Sequence, residues 1–390
     1  MICLQGQNRP RKRGVALILA IFTCVILTVL AVGIAGLVRV ELLASRGSYD
    51  RMQARYLAQA GFNLARSVLM YAEDETPRGD DLQDPWAKLS EEPSLELGEG
   101  SCRVIIVDAC SRINVNTADE RLLTGIFKDP ALAQAIISWR DANGSFKGLG
   151  DLLRVEGMDA EKLLPVAQWL TVASWEPNVY YEGETEKSRV NLNGSDRNEL
   201  QSQLQTRLRL TSAEAGNVLK LRDLQPEQKF ISPGQLSLEL EEKAVLSREK
   251  VINLLDKVSL TEGKYWDGRL NLNTAPKEIL EVLPGVTPEF VEAVLARRES
   301  ADPPREPFRS PRGVWPLLED ITDEDFITLS RLFCIKSASF IIEADGRLAD
   351  RPAHCTLQGL VVRHPGPTAP LQAAFRELTT PMFLTGNATE

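Results

Sequence analysis

The chain has 390 residues, enough for two or three domains and a sizeable core. With 43% hydrophobic and 25% charged residues, most of it is globular rather than disordered. The formal net charge of −9 argues against a polyanion binder, which needs clustered Lys and Arg.

Arg9, Arg11, Lys12 and Arg13 precede a run of 24 residues, 15–38, that carries no charge, and Arg39 follows it. Such a run crosses a bilayer as one helix. It is too long for the core of a cleaved signal peptide, and no small-residue cleavage site closes it. The positive-inside bias places the short N-terminus in the cytoplasm and the bulk of the chain on the other side. The helical pattern then continues over 39–75. Met52, Tyr56, Ala60, Leu64 and Val68 recur at a four-residue step, with Arg51, Gln53, Arg55, Asn63 and Arg66 off that line. This spacing predicts a face packed on a globular head.

Residues 76–111 form the first part of that head. An acidic, Pro- and Gly-rich loop carries a short ordered piece around Trp86, and a β-branched run at 101–110 reads as a strand. Two further strands, 333–346 and 354–364, are joined by a turn, and 365–390 reads as a poorly ordered tail. The predicted fold class is α+β: a transmembrane and amphipathic helix, then a small antiparallel sheet interrupted by a helical insertion over 112–332.

That insertion is repetitive. Asn114-Val115-Asn116, Asn191-Leu192-Asn193 and Asn271-Leu272-Asn273 stand 77 and 80 residues apart. Each precedes a Leu- or Ile-bearing helix, then a second helix with Arg140, Arg222 or Arg297-Arg298 near its end. A loop with Phe146, Phe230 or Phe308 comes next, and then a Gly- or Pro-containing turn into another apolar helix. The corners read as strand-to-helix turns in which Asn side chains satisfy backbone groups. Thr117, with Glu120, and Thr274 are the expected helix caps, and Ser195 or Asn193 caps the middle repeat. The middle block, 188–240, matches least well.

Catalytic patterns are lacking. The chain has two His, His354 and His364, and no metalloprotease, nucleophile-elbow or phosphate-loop motif, so no enzyme is expected. Asp141, Asn143 and Ser145 imitate the start of a calcium loop, but Phe146 and Leu152 occupy the positions that need Gly and Glu. Acidic clusters at Asp80, Asp81 and Asp84 and at Asp320, Asp323 and Asp325 could hold a hard cation, but a solvated acidic face is the expected reading. Cys3 lies in the leader and Cys24 in the apolar run. Among Cys102, Cys110, Cys334 and Cys355, either a link from one of the first two to one of the last two or free buried thiols fits the spacing.

The basic leader ending in Gly14, the apolar helix from Val15 and its amphipathic extension resemble the class III signal of type IV pilins and pseudopilins. The resemblance implies cleavage between Gly14 and Val15 by a prepilin peptidase, leaving 41 basic against 54 acidic residues, a net −13. Most pilins carry Glu at the fifth mature position, where this chain has Leu19. A lone carboxylate at that depth costs about 2.5–3.5 kcal/mol. A subunit without it needs no neighbour above it, as at a filament tip.

Together with the Asn corners, the Trp139-Arg140-Asp141 step and the closing strands, the chain is similar to the K-type minor pseudopilin of type II secretion systems. There a helical domain is inserted into a pilin-like αβ head. The resemblance implies other minor pseudopilins, the prepilin peptidase and the inner membrane as partners, with a periplasmic head assembled into a pseudopilus. It admits calcium without fixing ligands. The alternative reading is a membrane-anchored DNA receptor, because the corners followed by 283–286 or 155–158 resemble helix-hairpin-helix modules, whose backbone N–H groups meet phosphates. The hairpins lack a second glycine, at Gly285-Val286-Thr287 and Gly157-Met158-Asp159. Glu156, Asp159, Glu161 and Glu289 flank them, so nucleic acid is not the expected partner.

Overall fold

The computed structural model describes residues 13–75, 79–182, 185–299, 307–309, 311–318, 321–363 and 372–378. The leader up to residue 12, Asp320 and His364 lie outside them. Helix α1 (Arg13–Glu75) runs unbroken for 63 residues. From Val15 to Leu43 each large apolar side chain is at least half exposed, and the helix is long and apolar enough to cross a membrane.

The far half of α1 lies across an antiparallel sheet of five strands: β1 (Leu95–Leu97), β2 (Gly100–Asp108), β3 (Ser339–Leu348), β4 (His354–Val362) and β5 (Gln372–Leu378). The strands pair in chain order, so the sheet is a meander opened only between β2 and β3, where the insertion leaves and returns. Strand β5 places residues 372–378 of the expected tail in the sheet. The strand expected from residue 333 starts later, because Phe333–Cys334 pairs with Leu270–Asn271 inside the insertion.

Alternation along β2 and β3 turns Cys102, Val104, Ile106, Phe340, Ile342 and Ala344 toward α1. The helix meets them with Ala54, Ala58, Phe62, Ala65 and Leu69. This differs from the predicted stripe: Met52, Tyr56 and Leu64 are 46%, 62% and 38% exposed. Small side chains form the contact because the helix sits on strand backbone at Gly346. A short helix, Pro85–Glu91, closes the edge of this core, with Trp86 against Phe340 at 5.3 Å, edge to face.

The insertion holds three units, each opened and closed by a two-residue parallel strand pair: Ile113–Asn114 with Leu170–Thr171, Val190–Asn191 with Val258–Ser259, and Leu270–Asn271 with Phe333–Cys334. The first and third units share one core, in which Leu123, Ile136 and Leu170 meet Leu272, Leu280 and Val294. The middle unit has its own core around Leu204, Val218, Leu219, Phe230 and Leu236.

Candidate functional site

The three Asn corners have one construction. The first Asn turns the chain: Asn114, Asn191 and Asn271 each accept, on Oδ1, the backbone N–H two residues on, at 2.9, 3.0 and 3.0 Å. The second Asn clamps the aromatic loop. Asn116, Asn193 and Asn273 accept the N–H of Phe146, Phe230 and Phe308 at 2.7, 3.0 and 2.8 Å, and donate Nδ2 to the carbonyl of the same residue. An arginine from the second helix then closes the turn. Arg140 donates to the Val115 and Ala118 carbonyls, Arg222 to those of Leu192 and Gly194, and Arg298 to those of Leu272 and Ala275. The corners are therefore structural, and the middle unit is in register with the others.

The predicted caps are corrected. The capping side chains belong to Asp119 and Asp196, which accept from the N–H groups of Leu122 and Glu199. In the third unit Pro276 stands at the cap. Because the Asn side chain has already taken the turn, the chain needs two more residues before the helix can start. Thr117 donates back to the Asn114 carbonyl at 3.4 Å, and Thr274 donates to Asp108 at 2.6 Å.

Each unit has a first hairpin with a left-handed residue: Lys128 (φ 55°), Arg209 (φ 56°) and Gly285 (φ 70°). Gly157 (φ 82°) and Ala244 (φ 50°) hold the second hairpin of units one and two, so Gly157 and Gly285 are not equivalent. The helices after these hairpins already carry acids. Asp129 and Asp159 cap helices of the first unit by accepting from Leu132 and Lys162, and Thr211 caps one in the second with Glu214 completing the box. Those N–H groups are spent on the chain's own side chains.

Three arginines precede the corners: Arg112 and Arg269 are buried, and Arg189 is 12% exposed at its side chain. Arg189 and Arg269 converge on Glu176, at 2.8 and 2.7 Å. Burial alone raises that carboxyl, but the two guanidinium groups outweigh it and hold the group below its usual value. Burial pushes Arg112 down to about 10, opposed by Asp108.

A second buried network joins the sheet to the third unit. Asp80 pairs with Arg363 at 2.6 Å and accepts the Ser337 N–H at 2.8 Å. Its own N–H donates to the carbonyl of Ile335. Asp108 Oδ2 accepts from Asn271, Thr274 and Ser337, and Oδ1 accepts the Cys110 N–H. Burial pushes Asp108 up to about 6, against the pull of the Thr274 and Ser337 hydroxyls. Asp80 and Asp84 are thus not a solvated face. Asp325 is paired with Arg121 at 2.7 Å. Among the described residues, no group of three His, Cys, Asp or Glu is placed to hold a metal ion.

Asp84 accepts from the Asp81 N–H and Trp86 Nε1. Burial, reinforced by the charges of Asp80 and Asp81, pushes its carboxyl up to about 7. A raised carboxyl binds its proton more tightly folded than unfolded. It therefore lowers stability progressively as pH rises from about 4 to about 7. Asp84→Asn keeps both acceptor bonds and removes the charge. At pH 8 the variant is expected to be more stable by up to about 4 kcal/mol, with no gain at pH 4. Thermal melts of both proteins across that range check this.

Comparison with known proteins bears on these features. The family described as "Helix-hairpin-helix motif" matches residues 108–171, the first unit. A search of curated proteins returns no match. A solved structure described as "The Crystal Structure of the GspK-GspI-GspJ complex from enterotoxigenic Escherichia coli Type 2 Secretion System" is similar at 14% identity and a TM-score of 0.43. The similarity covers 86% of this chain and 100% of that one.

Proposed function

We propose that the chain is a K-type minor pseudopilin: a single-pass inner-membrane subunit, matured between Gly14 and Val15, whose periplasmic head stands at the tip of a type II secretion pseudopilus and helps nucleate it for protein export. The observation that carries the reading is the continuity of α1. One 63-residue helix presents an exposed apolar segment of membrane length and then serves as the spine of a sheet opened by a helical insertion. Such a helix packs beside equivalent helices in a bundle. The three-unit insertion is bulky for repeated stacking along a thin shaft and suits a terminal position. Leu19 needs no neighbour to satisfy a buried carboxylate. Its partners are other minor pseudopilins through α1, the prepilin peptidase and the membrane.

The helix-hairpin-helix match favours a second reading, a membrane-anchored DNA receptor. Asp129 and Asp159 at the caps and Glu214 in the first turn oppose it, because they place negative charge where a phosphate would dock. The deciding experiment is the N-terminal residue of membrane-extracted protein from cells with and without prepilin peptidase. A chain beginning at Val15 only when the peptidase is present is expected. A chain uncut in both, with a head that retards duplex DNA at moderate salt, would replace the pseudopilin with the receptor.

A further inference from the structure

The insertion is connected to the sheet through two short segments, and each carries a cysteine. Cys110 lies in the turn Ala109–Ser111 directly after β2, where the chain leaves the sheet. Cys334 ends the strand Phe333–Cys334, just before the chain returns to it at β3. The two thiols are fully buried and free in this structure, and their segments meet: Asn271, paired with Cys334, donates to Asp108, whose other oxygen accepts the Cys110 N–H. Their backbones are fixed. The Cys110 N–H donates to Asp108, the Cys334 carbonyl accepts from Leu272, and Cys110 Sγ approaches the Trp175 carbonyl at 3.4 Å.

The other buried pair is differently placed. Cys102 and Cys355 both stand opposite Gly346, on the two strands that flank β3. Two strand spacings separate them by about 9.6 Å, beyond the reach of a disulfide.

We propose that Cys110 and Cys334 are joined by a disulfide in the mature protein, a covalent staple that closes the root of the inserted domain, while Cys102 and Cys355 stay reduced. This rests on the reading that the head faces an oxidising compartment. In the reaction the two thiols give up two protons and two electrons to the disulfide of an exchange partner, a protein oxidant or glutathione disulfide. One S–S bond forms between the two Sγ atoms, and the partner leaves as two thiols. The exchange belongs to folding. Once the third unit docks, neither sulfur is reachable, and burial pushes both thiols up, away from the reactive thiolate. The consequence is mechanical. With entry and exit tied, the units cannot swing away from the sheet, even when the Asp80 and Asp108 networks are strained. A cap that bears load at a filament end needs such a root.

The test uses full-length protein extracted from membranes, with free thiols alkylated in denaturant before any reductant, then digested and mapped by mass spectrometry. The expected result is one peptide pair linked through Cys110 and Cys334, separable by reductant, with Cys102 and Cys355 alkylated. In parallel, the chain is unfolded, reduced and refolded in detergent with a glutathione redox buffer, where the same single link is expected. Alkylated Cys110 and Cys334 in protein that begins at Val15, with a head open to protease in spheroplasts, overturn the proposal. If the head is instead cytoplasmic, the compartment reading has failed, and the refolding arm decides. Pairing there sustains the staple as a property of the fold, and free thiols there overturn it.

Discussion

Gly346→Ala is expected to detach α1 from the sheet. A Cβ at this position would stand 2.3 Å from the Ala54 carbonyl oxygen, 2.4 Å from the Ala58 nitrogen and 2.9 Å from Leu57 Cβ. The first two are helix backbone atoms, so no rotamer change relieves the overlap. The helix must rise, and the contacts of Ala58, Phe62 and Ala65 with Val104, Ile342 and Ala344 open along its length. The expected loss is about 3 kcal/mol or more, above the usual range for an added methyl because the obstacle is main chain. Limited proteolysis of the detergent-solubilised protein should show new cuts within 45–75, and the melting temperature of the head should fall. Gly216→Ala is the control. Gly216 lies within the helix Ser212–Asp223, and a Cβ there meets nothing within 4 Å. The chain should gain about 0.5–1 kcal/mol from helix propensity alone.

That close approach explains where the sequence misleads. A search for apolar periodicity weights large side chains, so it selects Met52, Tyr56 and Leu64, which the head leaves exposed. The face that docks is Ala54, Ala58, Gly61 and Ala65 with Phe62 and Leu69 beside them, and a hydropathy pattern scores its small residues weakly. The corners were legible because Asn, Arg and Phe recur at fixed places in the chain, and each type has one task in the turn. The cap positions were not legible, since whether Thr117 or Asp119 caps depends on the Asn114 side chain having already closed the corner. Strand β5, with the sequence Gln-Ala-Ala-Phe-Arg-Glu-Leu, lacks the β-branched alternation of β2 and is specified by its partner β4. The arginines had a usable signal: Arg112, Arg189 and Arg269 each stand two residues before the first Asn of a corner. Glu176 had none, because its partners are 13 and 93 residues away.

Glu176→Ala is accordingly expected to be the most damaging single change within the insertion. Glu176 Oε1 faces Arg189 and Oε2 faces Arg269, and all three side chains are nearly or fully enclosed. Removing the carboxylate strands two largely buried guanidinium groups, at a cost of about 3–5 kcal/mol for breaking one such pair and more for two. The arginines are not equal. Arg189 has one further bond, to the Asp256 carbonyl, whereas Arg269 also donates to the carbonyls of Ser330, Arg331 and Phe333, where the third unit returns to its corner. Each substitution leaves Glu176 one partner, so Arg269→Met should destabilise more than Arg189→Met because it also strips three carbonyls of their donor. The pH response adds a separate readout. Glu176 is held below its usual value, so its stabilisation is present above about pH 4.5, the ordinary carboxyl range, and is lost as acid titrates the folded group. The wild-type insertion should weaken as pH falls below that value, in the opposite sense to the Asp84 effect, and Glu176→Ala should lose this component of the acid slope. Equal melting temperatures for wild type and Glu176→Ala at pH 7 would mean that packing alone holds the three units together, and the triad would then be a bystander.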